Sequence, residues 1–179
     1  FVLGETIEAA LTRGKSLQHT KELFSFDMLG EGARHKADAL RHFDAYRHAI
    51  QVLGEHYESL SLKHRPSISI KLSALHPRYE LAQFSHTGSE LYDRLRTLAQ
   101  EAKYYGLSIT IDAEEAERLE LSLHLFERLM TESSLQGWNG LGMAIQAYSK
   151  RIIPLTDTLI KLAQTHQHRF LAWAQSNGA

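Results

Sequence analysis

The sequence predicts an α/β fold, a partial (β/α)8 barrel holding about the first four to five β/α units. Three observations predict it. Short β-like runs alternate with longer amphipathic helical runs, the order that builds a parallel sheet. No glycine loop of the dinucleotide type follows these strands, which disfavours a complete doubly wound sheet. Polar residues gather just after the strand-like runs, on the rim where barrels carry their chemistry.

The elements follow in order. "FVLGETIEAAL" opens a leading helical segment over 1–22. "LFSFDML" (23–29) is a short apolar and aromatic run read as the first strand. A helix is expected from Lys36 to Ser59, with Leu40, Phe43, Ile50 and Leu53 at helical spacing. "SISIKLSAL" (67–75) alternates as a strand does, Ile68, Ile70 and Leu72 opposing Ser67, Ser69, Lys71 and Ser73. Thr87 and Glu90 are three apart, a capping-box pattern before the stripe Leu91, Leu95, Leu98 and Ala102. Gly106 is a helix stop leading into a third strand with Ile109 and Ile111. Leu119, Leu123, Phe126 and Met130 stripe the next helix. "GLGMAIQAY" (140–148) is the fourth strand, and Pro154 suits the first turn of a helix carrying Leu155, Leu159 and Leu162. "HRFLAWAQ" (168–175) is read as a fifth strand.

Bulk properties exclude several classes. Twenty Lys and Arg balance 21 Asp and Glu, so no electrostatic footprint points to nucleic acid. There is no cysteine, which removes disulfides and thiolate metal sites. No apolar run approaches the roughly 18 residues of a membrane span. His42 and His48 are six apart and His166 and His168 two apart, neither a ligand spacing, so no metal is expected. The chain starts at Phe1 without signal-peptide features and reads as cut from something longer.

The candidate site lies at the strand ends. Asp27 and Glu31 follow the first strand, Lys71 and Ser73 end the second, Asp112, Glu114 and Glu115 the third, and Gln146 and Tyr148 the fourth. Each has a plainer reading. Glu114 and Glu115 suit the first turn of the following helix, stabilised by its dipole. Lys71 is either half of a structural ion pair or a substrate contact. Gln146 is either a ring-facing amide or a partner for a buried backbone group. Asp112 continues the strand pattern and is expected to face the interior.

"FSFDMLGE", "SISIKLSALHPRY", "ITIDAEEAERLELSL" and "GWNGLGMAIQAYSKR" resemble the proline dehydrogenase domain of bacterial proline utilization A, a bifunctional flavoenzyme family. The resemblance runs from the first residues to about His168. It implies a distorted (β/α)8 barrel that uses FAD to oxidise L-proline to Δ1-pyrroline-5-carboxylate, with electrons passed to a membrane quinone. It implies a cytoplasmic protein with peripheral contact at the inner membrane, able to form a homo-oligomer, whose segment here touches no nucleic acid. By the same resemblance, Lys71 contacts the proline carboxylate, Asp112 and Asp27 lie beside the substrate, and Gln146, Ala147 and Tyr148 form the flavin-binding strand end.

The sequence also departs from that family. "HRFLAWAQSNGA" does not match its fifth strand, whose arginine lies against the flavin, and residues 171–179 match nothing in it. The late-barrel tyrosine and arginines that clamp proline are expected to be missing, so the segment alone is expected to bind FAD poorly and to self-associate. Two other readings stand beside it: a barrel aldolase with Lys71 as Schiff-base nucleophile, and a non-catalytic interaction piece.

Overall fold

In a computed structural model of the chain, residues 2–17, 24–28, 32–60, 64–166 and 171–175 are described, by backbone alone at 15–17, 83–87 and 171–175. Glu31 and His168, and residues 18–22 of the leading segment, lie outside them. Helix α1 (Ile7–Leu17) precedes β1 (Ser25–Asp27), α2 (Lys36–His56), β2 (Ser67–Ile70) and the single turn α3 (Leu72–Leu75). Then come α4 (Phe84–Tyr104), β3 (Ser108–Ile111), α5 (Leu119–Met130), β4 (Leu141–Gln146), α6 (Ile152–Thr165) and β5 (Leu171–Gln175). The five strands form one parallel sheet in the order β1-β2-β3-β4-β5. Sequential order with helical crossovers is the arrangement of consecutive barrel units.

Strand alternation gives the sheet two unlike faces. Phe26, Ile68, Ile70, Ile109, Ile111, Leu141, Met143 and Ile145 join one core with the helices. α2 contributes Tyr46, Ile50 and Leu53, α4 contributes Leu91, Leu95 and Leu98, and α5 contributes Leu125, Phe126 and Leu129. The register pairs Ser25 with Ser67, Ser67 with Ser108, Ser69 with Thr110, and Thr110 with Gly142. The second face is therefore small and hydroxyl-bearing, and it carries Lys71 and Asp112 one step beyond the ladder.

Several expectations shift at the boundaries. The second strand stops at Ile70, because Leu72–Leu75 turns into α3. Helix α4 starts at Phe84, after a 3-10 turn at Leu81–Gln83, so Thr87 lies inside it rather than capping it. In α2 the buried face is Ala39, Tyr46, Ala49, Ile50, Leu53 and Gly54, while Leu40 points outward. In α5 the buried residues include Leu121, Leu125, Phe126 and Leu129, with Leu119 and Leu123 only partly buried. Leucine at every second position from 119 to 125 makes the helical period ambiguous, and packing against the sheet decides it.

The crossover from α4 to β3 behaves as expected. Gly106 has φ +64°, and Leu107 N–H donates to Ala102 O at 2.9 Å, the six-to-one bond of a Schellman stop. Arg65 ties this corner to the end of α2, donating to the carbonyls of Tyr105 at 2.5 Å, Leu60 at 2.6 Å and Glu58 at 2.6 Å.

Helices α2 and α4 approach closely at Gly54, where an added Cβ would lie 2.6 Å from Tyr105 Cγ. Gly54→Ala gains about 1 kcal/mol of helix propensity but overpacks a filled crossing, which costs about 1–3 kcal/mol. The expected net result is a lower urea unfolding midpoint. A raised midpoint would contradict the close crossing.

Candidate active site

The parallel sheet brings the predicted residues to one edge. Asp27 is the last residue of β1, Gln146 the last of β4, and Lys71 and Asp112 directly follow β2 and β3. Because Ile70 pairs with Ile111, Lys71 and Asp112 are neighbours in the next position. Lys71 Nζ donates to Asp112 Oδ2 at 2.7 Å and to both carboxylate oxygens of Asp27, at 2.7 and 2.8 Å. The Lys71 side chain is 7% exposed, Asp112 10% and Asp27 49%.

One ammonium thus meets two carboxylates. Burial favours the neutral amine, but hydrogen bonds and charge from Asp112 and Asp27 outweigh it and raise the Lys71 pKa above its usual value. Lys71 remains a cation throughout the neutral range. A Schiff-base nucleophile must be a neutral amine, so this environment opposes the aldolase reading. The ion-pair reading of Lys71 is what the geometry realises, with the half-exposed Asp27 as its open side.

Glu114 departs from its expected place in the helix that follows it. Its Oε2 accepts the Ser73 N–H at 3.1 Å, reaching across to the first turn of α3. Arg118 Nη1 lies 3.6 Å from its Oε1. Burial raises the Glu114 pKa, partly offset by the bonds from Ser73 and the Arg118 charge. Glu115, by contrast, stands at the N-cap of the short 3-10 turn Ala116–Arg118, where its side chain makes no cap bond and pairs with Arg118 at 3.1 Å.

Gln146 donates from Nε2 to Glu114 O at 3.0 Å, the backbone-satisfying reading of this residue. Its Oε1 has no partner among the described residues. Ala147 and Tyr148 are exposed just beyond β4. A cleft lined by Asp112, Glu114, Arg118, Gln146, Ser149 and Arg151 separates the ends of β3 and β4. Behind it Tyr79 is buried under Arg118, whose guanidinium carbon is 5.3 Å from the ring centroid.

Two residues of this edge were not legible beforehand. Glu114 looked like a helix-start carboxylate, and its partner Ser73 N–H exists only because the strand breaks at Ile70. Tyr46 carries no signal in the sequence that marks it out, yet its hydroxyl accepts the Lys71 N–H at 3.1 Å.

Comparison with known proteins adds an independent line. The sequence profile of the family described as proline dehydrogenase matches residues 10–172. The bifunctional protein PutA of Klebsiella aerogenes is 47% identical over 171 residues, covering 96% of this chain and 13% of that protein. A crystal structure of a Bradyrhizobium japonicum proline utilization A (PutA) variant superposes with TM-score 0.84 at 50% identity, covering 96% of this chain and 17% of that one. Proline utilization A from Bdellovibrio bacteriovorus, 23% identical, keeps the same fold with TM-score 0.89 over 96% of this chain and 19% of its own. The chain therefore spans about an eighth of the length of the bifunctional PutA relatives it matches.

Glu114 gives a pH-dependent prediction. A carboxyl whose folded pKa is raised binds extra protons when folded, so its contribution to stability falls as pH rises from 4.5 through the folded value. Glu114→Gln keeps an acceptor for Ser73 N–H and removes that loss. Its thermal midpoint, relative to the parent, is expected to improve from pH 4 to pH 7. A relative midpoint that worsens over this interval would contradict a burial-raised carboxyl.

Proposed function

Because the chain belongs to the proline dehydrogenase family, we propose that the full-length protein oxidises L-proline to Δ1-pyrroline-5-carboxylate with FAD and passes the electrons to a quinone. The observation that carries this reading is the fixed ammonium of Lys71 at the strand-end mouth, flanked by Asp27 and Asp112. An amino-acid carboxylate needs a cation whose charge does not depend on neutral pH, and Lys71 is one.

The roles divide by exposure. Asp112 is buried and keeps the ammonium aimed. Asp27 is half exposed and chelates the ammonium with both oxygens, so it is the partner that a substrate carboxylate displaces. The proline ring then lies between this cation and the end of β4. There Gln146 retains an amide carbonyl and a second N–H for the edge of a flavin ring, which presents both donors and acceptors. Ala147 and the exposed Tyr148 offer it a small step and a flat face. These residues fit a flavin. Hydride acceptance from the proline ring carbon is the chemistry FAD supplies when bound. The protein's own part is orientation and charge balance.

The same reading assigns the chain to the N-terminal part of a proline dehydrogenase barrel, in a bacterial cytoplasmic protein that meets the inner membrane peripherally. It makes the segment inactive on its own, since β1 and β5 stand at the two ends of the strand order and no strand among the described residues joins them.

Two measurements test it in the full-length protein. Anaerobic L-proline is expected to bleach a flavin absorption band, and a protein with no such band would overturn the proposal. Lys71→Met removes a charge-assisted bond of about 1.5–3 kcal/mol, which raises the KM for proline about 10–150-fold. An unchanged KM would remove Lys71 from the substrate site.

A further inference from the structure

The end of β2 holds a backbone group that the sheet does not use. Ser67 N–H donates to Phe24 O at 3.0 Å, toward β1. In a parallel ladder every second N–H points the same way, so Lys71 N–H also faces the β1 side. Extending the register Asp27–Ser69 by two residues would bring Met28 O to it, but β1 ends at Asp27. Tyr46, reaching in from α2, accepts this N–H instead at 3.1 Å. The Tyr46 side chain is fully buried, and burial above all pushes its hydroxyl up to about 12, so it serves as a neutral acceptor. On the opposite side of β2, Asp112 N–H donates to Ile70 O at 2.9 Å. Lys71 is thus held on three sides, by Tyr46 at its N–H, by β3 at the preceding carbonyl, and by two carboxylates at its ammonium.

We infer that Tyr46 is a positioning residue for substrate binding: its hydroxyl replaces the missing β1 carbonyl and so fixes the backbone from which Lys71 presents its ammonium. Releasing β1 from the ladder at this point is what leaves Asp27 half exposed beside the ammonium, open to exchange with a carboxylate. The inference rests on the reading in which Lys71 meets the proline carboxylate. Tyr46 touches no reacting atom, so its removal affects substrate capture more than the chemical step.

The test compares Tyr46→Phe, Lys71→Met and the double variant in the full-length holoenzyme. Tyr46→Phe is expected to raise the KM for L-proline about 3–10-fold with kcat within about twofold, a split that marks lost binding. In the Lys71→Met background the same substitution is expected to change KM little, since the two act as a unit. Independently of turnover, hydrogen exchange of the segment holding the Lys71 amide is expected to quicken about tenfold in Tyr46→Phe. If Lys71→Met leaves KM unchanged, the carboxylate reading falls and this inference with it. If Lys71→Met raises KM but Tyr46→Phe does not, the inference alone falls. Additive effects in the double variant, or equal losses of kcat, affinity and thermal midpoint, would make Tyr46 a core residue only. Tyr46→Met, which keeps bulk without oxygen, replaces Tyr46→Phe if that variant does not fold, and failure of both to fold overturns the inference.

Discussion

An ammonium withdrawn from water at the edge of a parallel sheet constrains everything around it. Removing Lys71 from solvent is costly unless anions and hydrogen bonds replace its hydration. Asp27 and Asp112 supply both, and they come from the strands on either side of β2. The cluster exists only when β1, β2 and β3 are in register. A slip of one residue in β2 would turn Lys71 onto the helix-covered face beside Ile109 and Ile111 and move Ile68 and Ile70 off it. Buried ion pairs are a poor source of net stability, and what this one enforces is the alignment of three strands.

The unlike faces of the sheet follow from the same demand. One face is bulky and aliphatic, closed by α2, α4 and α5. The other carries Ser25, Ser67, Ser69, Ser108, Thr110, Gly142 and Ala144, where a barrel interior is usually filled by branched aliphatic side chains. Ser67 donates its hydroxyl to Ser25 Oγ at 2.9 Å across β1 and β2. Thr110 Oγ1 is buried with no partner among the described residues. Small side chains beneath the mouth leave room above the sheet for the long Lys71 side chain and the carboxylates that hold it. The site is therefore prepared by what the strands lack as much as by what they carry.

How much of this was legible depends on the period of each segment. Strand alternation has a period of two, so one polar residue among isoleucines is enough to orient Lys71 and Asp112. That is why the charged pair, Asp27 and Gln146 were all readable at the strand ends. Helix faces were harder. The alternate leucines of α5 fit more than one stripe, and Leu40 of α2 has the spacing of a core residue while standing half exposed. Tyr46 gives no signal in the sequence and Glu114 gives a misleading one, for a different reason. Their partners are backbone N–H groups of Lys71 and Ser73, set free where a strand expected to run to Leu75 stops at Ile70. A sequence shows which side chains seek partners. It does not show which backbone groups the ladder will leave unpaired.

Those released backbone groups explain how the strand-end edge is braced. The last rung between β2 and β3 is the bond from Asp112 N–H to Ile70 O. Beyond it the strands diverge, and side chains take over the ladder's work. Tyr46 accepts from Lys71, Glu114 accepts from Ser73, and Gln146 donates to the Glu114 carbonyl. Each bond joins neighbouring elements, so the ends of β2, β3 and β4 are tied sideways in sequence. A loop-borne lysine with similar carboxylate neighbours would lose orientation whenever its backbone moved. Here the backbone of Lys71 is anchored from the helix layer while its ammonium is anchored from the sheet, and the two restraints act on opposite ends of one side chain. A cation held at both ends can exchange one exposed carboxylate for another without changing where its charge is presented.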